Sequence, residues 1–335
     1  MTTELLSIDR LSVEARVGST WLPVVSEASL TVRSGEVLGL VGESGSGKTV
    51  TCLSILGLLP RHGVRVSGGA IRYRGRDLTR IRPRELEDVR GRSIAMIPQE
   101  PSASLNPAFT VGDQLGEVLR RHERLSRSQV RQRAVKLLDD VGIPAAAGRL
   151  NDYPHHFSGG MCQRVLIAMA LACNPELVIA DEPTTALDVT VQAQILDLIR
   201  DLAADRGASV LLVTHDMGVV ADACDRVVVM YAGQIVEQAG IVPMFRRPRH
   251  PYTERLLAAT PRMRRPDETE APIFAYIPGS MPRPGSYGIG CRFAPRCAHH
   301  QPECDDHEIP LLALPEGNEA RCERVNDLDL AGERG

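Results

Sequence analysis

A run of eight residues near the start of the chain combines three glycines with a lysine and a threonine at fixed spacing. Residues 42–49 fit the pattern Gly-x4-Gly-Lys-[Ser/Thr] and follow an apolar run, 37–41, that predicts a buried strand. Glycines let the backbone turn with positive φ, and successive backbone N–H groups can then surround a phosphate. The pattern favours a nucleotide-phosphate site over an ordinary turn before a helix, with contacts from Gly42, Ser44, Gly45, Ser46, Gly47, Lys48 and Thr49.

Two adjacent carboxylates complete the chemistry of such a site. Asp181 and Glu182 come directly after a second apolar run, 177–180, and the carboxyl ends of buried strands are where open α/β sheets bind ligands. We expect Lys48 to reach the β- and γ-phosphates, and Thr49 and Asp181 to bind Mg²⁺. Glu182 is placed to polarise a water for attack on the γ-phosphate. Without the glycine-rich loop, the pair would be interpreted as a solvated strand end.

Further polar residues lie at the ends of predicted elements. Gln99 follows a short strand, 93–97, and its amide could contact Mg²⁺ and sense the γ-phosphate. Ser158 is the expected N-cap of a buried helix, 161–172, and the two glycines after it, Gly159 and Gly160, expose backbone N–H groups. The segment is therefore either a second anion site or a plain helix cap.

Two more candidates flank the last predicted strand and helix of this part of the chain. Asp188 is the expected N-cap of a helix over 189–204. His215 follows an apolar strand, 210–214, where it could hydrogen-bond a γ-phosphate, although a lone histidine is usually structural.

Taken in order, these motifs resemble an ATP-binding-cassette (ABC) ATPase. The matches are Walker A at 42–49, the Q-loop at Gln99, the signature at 157–161, Walker B with its catalytic Glu at 177–182, the D-loop at 186–188 and the switch His at His215. The resemblance implies an α/β P-loop NTPase fold, with a RecA-like core, an antiparallel β subdomain and a helical subdomain at about 100–160. It implies ATP as ligand and Mg²⁺ held by Thr49, Gln99 and Asp181. Glu182 and His215 would be catalytic.

The family resemblance also implies that two such domains pair head to tail. Each ATP then lies between Walker A of one subunit and the signature of the other, so Ser158, Gly159, Gly160 and Asp188 become nucleotide contacts. The signature departs from the usual Leu-Ser-Gly-Gly-Gln at Phe157 and Met161 but keeps its Ser-Gly-Gly core.

The family stacks an aromatic ring on adenine, upstream of Walker A. The position aligned by strand register is Ala15, whereas Trp21, the only tryptophan, lies 27 residues before Lys48 and could stack instead. A partly buried anchor is the alternative for Trp21.

The resemblance extends to one branch of the family. Residues 157–161, 180–194 and 250–253 look like the ATPase subunits of bacterial dipeptide and oligopeptide importers. This implies a second related ATPase in a heterodimer, two membrane permeases contacted by the helical subdomain, and an extracytoplasmic peptide-binding protein. Nickel importers of the same family share most of these residues, so nickel or another solute is the alternative cargo. A regulatory ABC ATPase outside transport is less favoured, because those usually fuse two cassettes or carry long coiled coils.

Composition limits the remaining classes of function. With 39 Lys and Arg against 42 Asp and Glu, the net charge of −3 offers no basic excess for nucleic acid. The longest apolar run, 165–173, is far shorter than the ~20 residues of a membrane span. Residues 1–10 lack the pattern of a signal peptide. These features predict a chain that stays in the cytosol, and the resemblance to importer ATPases implies a peripheral position on the cytoplasmic face of the cell membrane.

The composition changes near residue 245, where prolines become frequent and apolar periodicity fades. We predict an ATPase domain over 1–245 and a small loop-rich domain over 246–335. The latter contains Cys291, Cys297, Cys304 and Cys322 at spacings x5, x6 and x17, without the short Cys-x(2–4)-Cys knuckles of zinc sites. Peptide-importer ATPases resemble the run 291–297. We expect a structural [4Fe–4S] cluster; Zn²⁺, with His299, His300 or His307 as alternative ligands, and no metal remain the alternatives.

Overall fold

A computed structural model describes residues 3–60, 62–185, 187–260 and 276–332. The chain divides into two compact units. Unit 1 contains residues 1–5, 32–37 and 80–213, and unit 2 contains residues 6–31, 38–79 and 214–335. The domain boundary predicted at residue 245 stays a prediction.

The strands of the described residues are, in chain order, β1 (Glu4–Val17), β2 (Thr20–Arg33), β3 (Val37–Val41), β4 (Val64–Tyr73), β5 (Arg76–Asp77), β6 (Ile94–Ile97), β7 (Leu177–Asp181), β8 (Ser209–Thr214), β9 (Arg226–Tyr231), β10 (Gln234–Gly240), β11 (Leu312–Ala313) and β12 (Glu319–Ala320).

The α-helices are α1 (Lys48–Ile55), α2 (Pro83–Val89), α3 (Pro101–Ser104), α4 (Val111–His122), α5 (Arg127–Asp140), α6 (Ala146–Arg149), α7 (Gly159–Leu171), α8 (Val189–Asp205), α9 (Met217–Ala223), α10 (Ile241–Arg246), α11 (Pro251–Ala259) and α12 (Glu303–Asp306). Single 3₁₀ turns form at Pro154–His156, Ala294–Arg296 and Pro315–Gly317.

Unit 1 is built on parallel strands in the order β6-β7-β8. Ile97 lies opposite Ala180, and Ala180 lies opposite Leu212, so the three strands end at the same edge. Every residue of β7 and β8 is buried, which accounts for their continuous apolar sequences. Helix α7 is buried on nearly all sides, as its uniform apolar sequence predicts.

Unit 2 contains two sheets. One has the order β2-β1-β4-β5, with β4 antiparallel to both of its neighbours. In the other, β3 pairs parallel with β9, and β10 and β12 continue antiparallel from β9. The aromatic rings of Tyr231, Tyr252 and Phe293 pack together in the core of this unit, with centroids 4.6 to 5.4 Å apart.

The strands expected over 37–41, 93–97, 177–180 and 210–214 are confirmed as β3, β6, β7 and β8. Among the elements that the sequence did not predict are β4 and the first part of β2. The first part of β2 was missed because Pro23 interrupts its apolar residues, and β4 was missed because Gly68 and Gly69 interrupt its alternation. The helices expected over 161–172 and 189–204 are confirmed as α7 and α8. In the part of the chain that the structure describes, no helix has both the length and the apolar character needed to span a bilayer.

The two adjacent glycines of β4 differ in what they can accommodate. Gly69 has φ +84° and faces a bulge in β1, where Arg10 also has a positive φ of 47°. A Cβ on Gly69 would overlap the Arg10 carbonyl, whereas one on Gly68 would meet Ser12 at an ordinary 3.7 Å.

We predict that Gly69→Ala lowers the free energy of unfolding by about 1–3 kcal/mol, because it combines a strained φ with a backbone clash. Gly68→Ala is the matched control and should change it by well under about 1 kcal/mol. Urea denaturation of both variants measures the difference, and equal midpoints would contradict the bulge geometry.

Candidate functional site

The phosphate-type loop lies in unit 2, between β3 and α1. Lys48 is the first residue of α1 and is 4% exposed. Its Nζ donates to the carbonyl oxygens of Gly42 at 2.7 Å and Glu43 at 3.1 Å. The ammonium is therefore held inside the curve of the loop, while Ser44 and Gly45 at its tip are exposed.

Glycines allow this loop to pass close to its neighbours. A Cβ on Gly42 would overlap the Met230 carbonyl oxygen, and Gly47, with φ +106°, caps α1 in the left-handed region. The Ser46 hydroxyl is buried and has no hydrogen-bond partner. A tight loop with a buried ammonium and an orphaned hydroxyl fits an anion, and the exposed Thr49 lies in the first turn of α1.

The carboxylate pair lies in unit 1, at the edge where β6, β7 and β8 end. Asp181 ends β7 and is 1% exposed. Glu182 follows it with φ +44°, a region that non-glycine residues rarely adopt, and its backbone N–H donates to Val213 O at 3.0 Å. Strained backbone of this kind is typical of functional sites.

Two side chains hold the Glu182 carboxylate. Gln99 Nε2 donates to Glu182 Oε2 at 3.1 Å, and Thr185 Oγ1 donates to the same oxygen at 3.0 Å. The meeting of Gln99 with Glu182 follows from the neighbouring parallel strands β6 and β7. Sequence reasoning missed Thr185, although a turn in which the Thr185 N–H donates to Glu182 O brings it there. The Mg²⁺ contact expected for Gln99 stays a prediction.

The signature and the D-loop are neighbours within unit 1. Ser158 is the N-cap of α7 and accepts from Met161 N at 3.3 Å, and Asp188 is the N-cap of α8 and accepts from Val191 N at 3.0 Å. A Cβ on Gly160 would lie 3.1 Å from Val191, so the two helix starts approach closely. Both predicted caps are confirmed, and Ser158, Gly159 and Asp188 are exposed. Ala186 of the D-loop lies outside the described residues.

The remaining candidates lie in unit 2. His215 follows β8 and is exposed. Trp21 lies in β2, and the guanidinium of Arg65 covers its ring at 4.1 Å from the centroid. One face of the indole is therefore already occupied by a cation, and its role toward adenine stays a prediction.

Four cysteines line one small cavity in unit 2. Cys291, Cys297, Cys304 and Cys322 surround it. The four thiols are free, with two of them buried and two half-buried. Burial raises the pKa of Cys291 to about 11 and that of Cys322 to about 12. The Cys297 pKa is also raised by burial, and a backbone N–H from His299 opposes this at 3.3 Å from its Sγ.

The backbone brings the cysteine segments together. Cys291 N donates to Cys304 O at 2.7 Å, and a Cβ on Gly290 would overlap that same carbonyl. In the described ranges, no group of three or more His, Cys, Asp or Glu side chains is arranged to hold a metal ion. His300 lies against Asp305 at 2.7 Å, and His307 lies against Glu323 at 3.2 Å. The donor set thus suits a thiolate-bound group, but the thiols do not form a coordination site in this conformation.

Comparison with protein families gives two matches. The family described as ABC transporter matches residues 25–185. The family described as oligopeptide/dipeptide transporter, C-terminal region, matches residues 236–304. The second match includes Cys291, Cys297 and Cys304.

Two curated relatives match almost the whole chain. The dipeptide transport ATP-binding protein DppD of Escherichia coli is 46% identical over 318 residues, which cover 95% of this chain and 96% of the relative. The oligopeptide transport ATP-binding protein AppD of Bacillus subtilis is 47% identical over 301 residues, which cover 90% of each chain.

Solved structures resemble the fold of the larger part of the chain. The ATP-binding cassette MJ0796, solved as a dimer in a post-hydrolysis state with ADP and Pi, is 27% identical with a TM-score of 0.63. The match covers 71% of this chain and 99% of that chain. The predicted α/β cassette fold is therefore confirmed.

The hydroxyl of Thr185 provides a test of the Glu182 geometry. Thr185→Val keeps the side-chain shape and removes one hydrogen bond to the carboxylate. We expect ATP turnover to fall about fivefold, because losing the hydrogen bond raises the activation free energy by roughly 1 kcal/mol. ATP affinity should stay unchanged. Phosphate release and calorimetric titration with ATP measure the two quantities. Unchanged turnover, or an affinity loss as large as the turnover loss, would contradict this role.

Proposed function

This chain belongs to the ABC transporter family of ATPases, and from that membership we propose that it supplies the energy for a membrane importer of di- or oligopeptides. The observation that supports peptides as the cargo is the match of residues 236–304 to the family of oligopeptide/dipeptide transporter C-terminal regions. The names of the two relatives, one a dipeptide and one an oligopeptide transport protein, support the same cargo class.

We assign hydrolysis to Glu182. Its carboxylate would orient a water for attack on the γ-phosphate and accept hydrogen bonding from that water. The hydrogen bonds from Gln99 and Thr185, together with the backbone bond to Val213, support this role because they hold the carboxylate before any water arrives. His215, at the end of β8, would contact the transferred phosphoryl group.

Nucleotide binding is assigned to the loop of residues 42–49. Lys48 would exchange its carbonyl partners, Gly42 and Glu43, for phosphate oxygens. ATP and Mg²⁺ fit an ABC ATPase, and we place the metal with Thr49, Gln99 and Asp181, where it would neutralise phosphate charge. Trp21 is proposed to lie against adenine.

We further propose that the chain pairs head to tail with a second, related ATPase. The exposed Ser158 and Gly159 support this, because a hydroxyl and a backbone N–H at the start of α7 are available to a nucleotide held by a partner. Asp188, the exposed carboxylate cap of α8, is proposed to lie beside the same nucleotide. The dimeric cassette with ADP and Pi supports pairing in general. Two permeases, an extracytoplasmic peptide-binding protein and a position on the cytoplasmic face of the membrane complete the proposed assembly.

For the C-terminal part, 246–335, we propose a structural [4Fe–4S] cluster bound by Cys291, Cys297, Cys304 and Cys322. Their shared cavity and the all-thiol donor set support it. The thiols would have to move together on binding, because they are not arranged as a metal site in the described conformation. Zn²⁺ is the alternative, since four thiolates also suit tetrahedral zinc.

The hydrolytic assignment predicts that Glu182→Gln binds ATP like the natural chain and hydrolyses it at least about 100-fold more slowly, since the general base is lost. Glu87→Gln is the matched control, because Glu87 is exposed in the same unit and pairs only loosely with Arg121, at 3.5 Å. Phosphate release in the reconstituted transporter measures both. Undiminished turnover of Glu182→Gln would sink the assignment.

The cluster proposal predicts about four iron and four sulfide per chain after anaerobic purification, with broad absorption near ~400 nm. Cys304→Ser should remove most of the iron, whereas Cys52→Ser, a change to a buried thiol in α1, should leave it in place. One zinc per chain would favour the alternative. Absence of any metal from freshly purified protein would refute both.

A further inference from the structure

All three guanidinium nitrogens of Arg296 donate hydrogen bonds within unit 2. It lies between Cys291 and Cys297, in a turn that we call the cysteine turn (residues 291–297). Nη1 and Nη2 donate to the two carboxylate oxygens of Glu43 at 2.6 and 3.0 Å. The other bonds go from Nη1 to the hydroxyl of Tyr231 at 3.3 Å, from Nη2 to Ile277 O at 3.3 Å and from Nε to Pro278 O at 2.7 Å.

This bidentate pair is well shielded from water. The side chain of Arg296 is 6% exposed and that of Glu43 is 27% exposed. Side-by-side bonds of a guanidinium to a carboxylate fix both orientation and distance, and a lysine cannot reproduce them. The geometry is therefore specific to arginine at this position.

Glu43 is the second residue of the phosphate-type loop, residues 42–49, so its negative charge lies close to the proposed site for the phosphates. A carboxylate next to a polyphosphate site repels the ligand unless another group neutralises it. Here the charge is paired with Arg296, and the Glu43 N–H donates to the Tyr252 hydroxyl at 2.8 Å. Both the side chain and the peptide group of Glu43 are thus held from outside the loop.

A second set of hydrogen bonds connects the cysteine turn to the loop of residues 42–49. Arg292 Nη1 donates to Ala232 O at 2.5 Å, and the next residue, Gly233, donates its N–H to Ser46 O at 2.8 Å. The turn itself is closed by hydrogen bonds from Ala294 N to Cys291 O and from Cys297 N to Ala294 O. A single short turn therefore contacts the loop directly at Glu43 and, through Ala232 and Gly233, at Ser46.

We propose that Arg296 is a positioning residue for the phosphate-binding loop: it neutralises and orients Glu43, so that ATP affinity depends on the conformation of the cysteine turn. The inference rests on the proposed assignment of residues 42–49 to phosphate binding. Arg296 contacts no nucleotide in this scheme; it acts through Glu43. A change at Cys291 or Cys297 that moves the cysteine turn would also alter the position of Glu43, because the same hydrogen bonds connect them.

The test compares ATP affinity among full-length variants by calorimetric titration. Arg296→Gln leaves the Glu43 carboxylate unpaired and is expected to weaken ATP binding about tenfold. Arg296→Lys, which keeps the positive charge but cannot form both parallel hydrogen bonds, should weaken ATP binding by a smaller factor, about threefold. In steady state, KM should rise by a similar factor while kcat stays within about threefold of the natural value.

The double variant separates positioning from general structural damage. If Arg296 acts by neutralising Glu43, Arg296→Gln combined with Glu43→Gln should bind ATP more tightly than Arg296→Gln alone. Damage to the fold would not be rescued in this way. Arg72→Gln is the matched control, since Arg72 pairs with Asp9 at 3.4 Å on the exposed surface of the same unit.

Thermal denaturation checks that each variant is folded. If Arg296→Gln does not fold, Arg296→Lys alone provides the affinity comparison. Natural ATP affinity in Arg296→Gln or Arg296→Lys, or additive losses in the double variant, would overturn the inference. Failure of the underlying assignment has a different signature: Lys48→Ala would then bind ATP as tightly as the natural chain.

Discussion

A side chain at residue 42 would overlap the carbonyl oxygen of Met230, and the phosphate loop depends on that side chain being absent. Strand β3 runs parallel to β9 up to the pairing of Val41 with Val229, and the chain must leave this ladder at once to form the loop. Only glycine lets the backbone continue so close to the neighbouring strand. The curve that follows places the Lys48 ammonium against the carbonyl oxygens of Gly42 and Glu43.

Glu182, the proposed general base, is held by a comparable constraint in unit 1. Glu182 adopts a positive φ directly after the fully buried β7, which turns its side chain at the point where the strand ends. Its backbone is tied to Val213 and its carboxylate to Gln99 and Thr185. Each unit therefore holds its own candidate groups with hydrogen bonds from nearby residues.

The sequence predicted where the candidate residues lie better than it predicted which residues hold them in place. Lys48, Glu182 and the caps Ser158 and Asp188 could be predicted because local spacing and strand ends determine their places. Arg296 could not be connected to Glu43, since 253 residues separate them and no local pattern marks the contact. Thr185 was missed because its bond depends on the unusual backbone of Glu182, which residue types alone do not predict.

The same distinction holds for the fold. Continuous apolar runs identified β7 and β8, whose burial on both faces leaves a strong signal. In β4, the glycines that accommodate the bulge of β1 also remove the alternation by which a strand is recognised. The features that make that pairing possible therefore conceal it from pattern analysis.

The low exposure of the Cys291 and Cys322 thiols has a consequence for their reactivity. Thiolates, not thiols, attack disulfides and oxidants, and burial raises the pKa of Cys291 and Cys322 far above neutrality. Only a very small fraction of either side chain is ionised at pH 7. Neither side chain is therefore a ready nucleophile toward a disulfide or an oxidant in the described conformation. Their low solvent exposure therefore slows oxidation while they remain free thiols.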